Sequence, residues 1–226
     1  MIRWLRHALA IASRDLRREA RTRDHAAAAL ALALLMLLTF AFAFDAVGEH
    51  VRPAAPGILW VTLIFTGTFV AGRGFAGELE RGTLEGLILA PIDRGAIYLG
   101  KLLSTLLLML GVEAVVLPIY GVLFNVAALS PAVLAVVAAG SVGFASLATL
   151  FAALAVNLRA REVLLPVLLL PFAAPLLIAG VRATDLALGG RPVGADLPWL
   201  ELAVGLAVLY LAAGLAVIDH ALEDMG

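Results

Sequence analysis

The sequence predicts an all-α polytopic membrane protein with six transmembrane helices, and three observations carry the prediction. Of its 226 residues 63% are hydrophobic and only 15% charged, with a mean hydropathy of +1.04; a soluble domain is about half apolar and a quarter charged. Uncharged runs cover Ala26–Phe44, Pro53–Gly72, Ala114–Leu158, Val163–Val181 and Leu202–Ile218, of 19, 20, 45, 19 and 17 residues, and a bilayer-spanning helix needs roughly 20. No ten-residue alternation points to a barrel, so the backbone inside lipid must satisfy itself as helix.

Taken in order, residues 1–25 hold seven arginines around a stripe of Ile2, Leu5, Leu9, Ala12 and Leu16 at helical spacing. That pattern predicts an amphipathic helix in the membrane interface, with its arginines on anionic headgroups; a plain positively charged flank would not need the stripe. Residues 26–226 then form the transmembrane domain, with spans expected at 26–44, 55–72, 102–124, 132–156, 163–181 and 200–218. The third and fourth come from dividing the 45-residue run at Asn125–Pro131 (NVAALSP), its turn-like stretch. The first span ends in FAFD, not a small-residue cleavage site, so it is not read as a cleavable signal. Pro166, Pro171 and Pro175 each remove a backbone donor from the fifth span and favour a kink. The following segment, 182–199, is expected either as short re-entrant helices or as an ordinary loop.

Loop charges set the orientation. Residues 1–25, 73–101 and 157–162 hold 13 of the 16 lysines and arginines, which places both termini in the cytoplasm by the positive-inside rule. The segment Gly77–Lys101, GELERGTLEGLILAPIDRGAIYLGK, holds seven of the 33 charges. Within it Glu78, Arg81 and Glu85 share one helical face, and Leu84, Leu87 and Ile88 another. Gly82 and Gly86 each weaken such a helix by about 1 kcal/mol, Pro91 ends it, and Asp93–Gly95 is read as a turn. The segment therefore reads as a short amphipathic helix under the membrane with one face free to dock.

Three near-motifs fail on context. Gly72–Gly77 fits GxGxxG but follows a membrane span rather than a strand. Gly95–Lys101 fits the start of a P-loop, but Leu102 stands where Ser or Thr must hold magnesium; its lysine is read as a headgroup anchor. Ala139-Gly-Ser141-Val-Gly143 resembles a nucleophile elbow without its first glycine, and small-residue helix packing accounts for it better. With no cysteine, disulfides, thiolate metal sites and redox pairs are excluded. The net charge of −1 says nothing about partners, and no nucleic acid partner is expected. No catalytic residues and no metal ligands are expected in this chain. Glu113, at the middle of its span, costs on the order of 2.5–3.5 kcal/mol if exposed to lipid. It is either hydrogen-bonded packing, with Thr66, Ser141, Ser146 and Tyr120 as candidate partners, or an intramembrane functional site on a path.

The pattern ELERGTLEGLILAP, followed by Gly100-Lys101 at the head of the next span, resembles the loop between spans two and three of ABC exporter permeases. APGILW (Ala55–Trp60) and LLPVLLLPFAAPLLIAG (Leu164–Gly180) resemble, more narrowly, the cytochrome c maturation protein B family, the haem exporter B subunit. The resemblance implies a permease subunit in the bacterial cytoplasmic (inner) membrane that works with a separate ABC ATPase subunit (CcmA-like) and a haem-handling membrane subunit (CcmC-like), as a homodimer within the lipid bilayer. It implies ATP at the partner, haem as cargo of the complex, no cofactor bound by this chain, and release of a haem-loaded periplasmic chaperone driven by ATP. On that reading Glu78, Arg81, Gly82, Thr83, Leu84, Glu85, Leu87, Ile88 and Pro91 form the ATPase-coupling interface. His50 is a speculative haem contact outside, and His220 lies inside. Other readings stay open at this point: an exporter permease for a lipid, polysaccharide or drug, a proton-coupled secondary transporter using Glu113, or a scaffold for haem enzymes.

Overall fold

In the computed structural model, residues 2–44, 52–79, 92–155, 161–189 and 197–223 are described. They form seven helices and no strand: α1 (Ile2–Thr22), α2 (Asp24–Ala43), α3 (Ala55–Leu79), α4 (Arg94–Leu123), α5 (Pro131–Ala155), α6 (Arg161–Leu188) and α7 (Leu197–Glu223). The six from α2 to α7 are each long and apolar enough to cross a membrane, and the chain is a multi-pass membrane protein.

Helix boundaries follow local chemistry. Arg23, in the left-handed region at φ 59°, breaks α1 from α2. There Glu19 Oε1 accepts the Ala26 amide at 2.7 Å, placing a carboxylate where the free amides and dipole of α2 favour an anion. Asp93 caps α4, its Oδ1 accepting the Ala96 amide at 3.3 Å. Asn125, at φ 49°, follows the end of α4. Ser130 then caps α5, accepting the Val133 amide at 3.4 Å, with Pro131 in the first helical position.

Several helices run past their expected limits: α3 continues beyond Gly72 to Leu79, α7 covers Leu197–Glu223 rather than 200–218, and two further boundaries bear on the site. The sequence places the third span from Leu102, but α4 starts at Arg94, so Asp93–Gly95 is a cap and first turn of helix. The sequence ends the fifth span at 181, whereas α6 runs unbroken through its three prolines to Leu188. Leu165, Leu169, Ala173, Leu176, Ala179 and Ala183 form a buried stripe on α6 at spacings of three and four, so packing against α3, α5 and α7 supports it on both sides of each proline. The first seven residues of 182–199 are thus helical, and 190–196 lie outside the described residues.

α5 is the centre of the bundle, touching α3, α4, α6 and α7. Its span is 72% buried and that of α3 67%, against 22% for α2 and 28% for α7. Small residues make that position possible. Gly140, Ser141, Gly143, Ala145, Ser146 and Ala148 of α5 are all buried, and such side chains let helix backbones approach where no hydrophobic drive operates.

α1 packs along the first turns of α4. A Cβ at Gly100 would lie 2.8 Å from Ile11 Cβ and 2.9 Å from the Ala8 carbonyl, so the two backbones nearly touch. The buried residues of α1 are Ala8, Ile11, Ala12 and Glu19, the last beside the first turn of α2. The buried face is rotated from the expected stripe: Leu5 and Leu9 are half exposed, at 48% and 52%, and form an adjoining apolar edge. Ala8 and Ile11 face Gly100 in this contact, and Leu5 and Leu9 stay outside it.

Candidate functional site

Trp60 of α3 gives the bundle its tightest joint. Its indole lies against Gly140 of α5 and Gly180 of α6, where a Cβ on either glycine would fall inside the ring. Its Nε1 donates to Thr184 Oγ1 of α6 at 2.9 Å, so a 2% exposed tryptophan has its one polar atom satisfied. Trp60 closes APGILW and Gly180 closes LLPVLLLPFAAPLLIAG. Two of the three stretches that carry the family resemblance therefore meet side chain to backbone.

The third stretch, 77–101, is anchored at its far end by α1. Trp4 Nε1 donates to Asp93 Oδ1 at 2.9 Å, the same oxygen that caps α4. Lys101 Nζ pairs with Asp15 Oδ2 at 2.8 Å, with the lysine side chain 3% exposed and the aspartate 20%. Lys101 is thus a buried partner of α1, in place of the headgroup anchor read from the sequence. The missed signal is the placement of Asp15 and Glu19 on the α1 face continuous with Ala8, Ile11 and Ala12, where a buried acid needs a cation or a helix N-terminus. Of the expected coupling residues, Glu78 falls in the last turn of α3. Arg81, Gly82, Thr83, Leu84, Glu85, Leu87, Ile88 and Pro91 lie outside the described residues, as does His50.

Glu113 of α4 is 3% exposed and faces protein, as the cost of a lipid-facing acid requires. Ser141 Oγ of α5 donates to its Oε1 at 2.7 Å. Of the other hydroxyls considered, Ser146 donates to the Val142 carbonyl of its own helix at 2.8 Å. Tyr120 is buried with no hydrogen-bond partner, and Thr66 of α3 lines the same small cavity as Glu113. The Ala139–Gly143 run accordingly presents Gly140 to Trp60 and Ser141 to Glu113, as helix-packing positions. The Gly72–Gly77 and Gly95–Lys101 runs lie inside α3 and α4, so neither is a phosphate-binding loop. Among the described residues no three His, Asp or Glu side chains gather as a metal site would need.

Four spans, α3 to α6, are joined through Trp60 and Glu113, and α1 is bound along the first turns of α4 beside a charged connecting segment. Comparison with known proteins agrees with this architecture. The family profile described as CcmB protein matches residues 6–223. Heme exporter protein B of Paracoccus denitrificans is 32% identical over 167 residues, 73% of this chain and 76% of that protein. Heme exporter protein B of Rhodobacter capsulatus is 33% identical over 138 residues, 60% of this chain and 62% of that protein.

Proposed function

This chain belongs to the CcmB protein family, and on that premise we propose that it is the permease subunit of an ABC transporter that serves haem export in cytochrome c maturation. A separate ATPase subunit (CcmA-like) docks on the segment 73–101 from the cytoplasmic side, and its hydrolysis of ATP moves α3 and α4. A haem-handling membrane subunit (CcmC-like) completes the complex in the inner membrane, with two copies of this chain and both termini in the cytoplasm. Release of the haem-loaded periplasmic chaperone is the output of that movement.

The observation that supports this reading is the suspension of the charged segment between two structural arms. Residues 80–91 connect α3, which is locked into the bundle by Trp60, to α4, whose first turns are bound to α1 through Asp93 and Lys101. A force delivered at the α4 end reaches a helix whose first turns are already held by α1. The positive charge of residues 1–25, 73–101 and 157–162 supports the cytoplasmic placement.

Reversal of Glu78 and Glu85 to Lys tests the reading. The double variant should insert and assemble its spans normally, yet lose co-purification with the ATPase subunit and stimulated ATP turnover. Unchanged binding together with unchanged turnover would sink the assignment. The rival reading, a proton-coupled secondary transporter working through Glu113, has less support, because Ser141 already engages that carboxyl within a tight helix contact.

A further inference from the structure

Thr66 and Glu113 share an unusual property. Both are at least nine-tenths buried, at 4% and 3% exposure, and Thr66 Oγ1 and Glu113 Oε2 are both without a hydrogen-bond partner. Burying a polar atom without a partner forfeits its hydrogen bond to water, so two beside one cavity require an explanation. That cavity lies between α2, α3 and α4, is otherwise lined by groups such as Ala33, Leu63, Met109 and Val112, and leaves about 10 Å³ for the centre of a water-sized sphere. One water requires roughly 10–15 Å³ by that measure.

The neighbouring threonines sharpen the point. Thr62 and Thr68 of the same helix donate to the carbonyls four residues back, Ile58 and Ile64, each at 2.8 Å, the usual resort of a helical threonine in an apolar setting. Thr66 has no such bond and lines the cavity instead. Gly67 beside it lets α3 sit close, since a Cβ there would come 2.6 Å from Phe144 and 2.8 Å from Met109.

We propose that this cavity is a binding site for a single water molecule, held between Glu113 Oε2 and Thr66 Oγ1. The site is too small for an organic ligand or a hydrated ion, and it holds both a strong acceptor and a hydroxyl. The bridge forms in either protonation state. A carboxylate accepts from the water while Thr66 donates to it, and a protonated carboxyl donates to a water that donates to Thr66. With the direct Ser141 bond it makes a continuous polar link, Thr66–water–Glu113–Ser141, across α3, α4 and α5. On the proposed coupling role, this link joins at mid-membrane the two arms that flank residues 80–91.

Infrared difference spectroscopy on the purified full chain in lipid nanodiscs tests the site without any partner, so its outcome is independent of the coupling assignment. The Glu113 carboxyl bands are identified by their loss in Glu113→Gln. Ser141→Ala should shift them through the direct bond. Thr66→Val, close to Thr in volume, should shift them as well, and Thr66→Ser should restore them. A high-resolution map should place one solvent peak within hydrogen-bond distance of both oxygens. Bands moved by Ser141→Ala but not by Thr66→Val overturn the proposal, and so does a map in which Thr66 bonds Glu113 directly or the cavity is dry.

Discussion

Replacing Asp15 by Asn should release α1 from the bundle, and the size of the effect follows from burial. Lys101 Nζ lies 2.8 Å from Asp15 Oδ2 with its side chain 3% exposed, so the substitution leaves a buried ammonium without this carboxylate. Removing one partner of a buried pair costs about 3–5 kcal/mol. Asp15 is one-fifth exposed and Lys101 has a further interaction, which sets the lower end, about 3 kcal/mol. At about 1.4 kcal/mol per tenfold change, the population in which α1 has lifted off α4 should rise roughly 100-fold. Amide hydrogen exchange over residues 2–22 reads this directly, as a loss of protection by about two orders of magnitude confined to α1 and the first turns of α4. The double variant Asp15→Leu with Lys101→Met removes both charges, which is often neutral for a buried pair, and should regain most of the protection. Unchanged exchange in Asp15→Asn, or a double variant as open as the single, would refute the claim that this ion pair holds α1.

Gly180→Ala puts a methyl inside the Trp60 indole and should destabilise the chain by about 1–3 kcal/mol, seen as a lower thermal unfolding midpoint in nanodiscs; an unchanged midpoint would show that Trp60 can move freely. Glu113→Gln, which keeps the shape and the acceptor for Ser141, should preserve expression, assembly and cytochrome c maturation, while Glu113→Leu weakens assembly. A folded, assembled but inactive Gln variant would make the carboxyl a proton or cargo site instead. Purified chain without partners should show no stoichiometric Soret band. A tight one-to-one haem spectrum abolished by His50→Ala would make that residue a ligand.

Much of the fold was written in where charge is absent. The 45-residue run divides at NVAALSP because Asn125 tolerates a left-handed backbone and Ser130-Pro131 opens the next helix, and a sequence reader can find all three signals. Span limits drawn at charged residues fail for a related reason. Arg94 and Lys101 do not end a helix when Asp93 caps it and Asp15 neutralises the lysine, and Arg182 and Asp185 do not end α6 when Thr184 is fastened to Trp60. The protein facing of Glu113 was legible from desolvation cost alone. Its choice of Ser141 over Ser146 was not, because two hydroxyls five positions apart on α5 lie on different faces, and only the helix rotation decides which one Glu113 meets. Likewise the stripe on α1 was visible as a period but not as a side. Its apolar residues form adjacent edges, and only packing against Gly100 decides that Ala8 and Ile11 are buried while Leu5 and Leu9 are not.

Site-directed cross-linking tests the docking of the charged segment on a separate ATPase most directly. Because the chain has no cysteine, Thr83→Cys supplies a unique thiol between α3 and α4, and Ala195→Cys supplies one between α6 and α7. With a photoreactive maleimide in native membranes, the thiol at 83 should yield an adduct with the ATPase subunit that changes in yield when ATP is added, and the thiol at 195 should yield none. An ATPase adduct from 195 and not from 83 would contradict both the orientation and the coupling role.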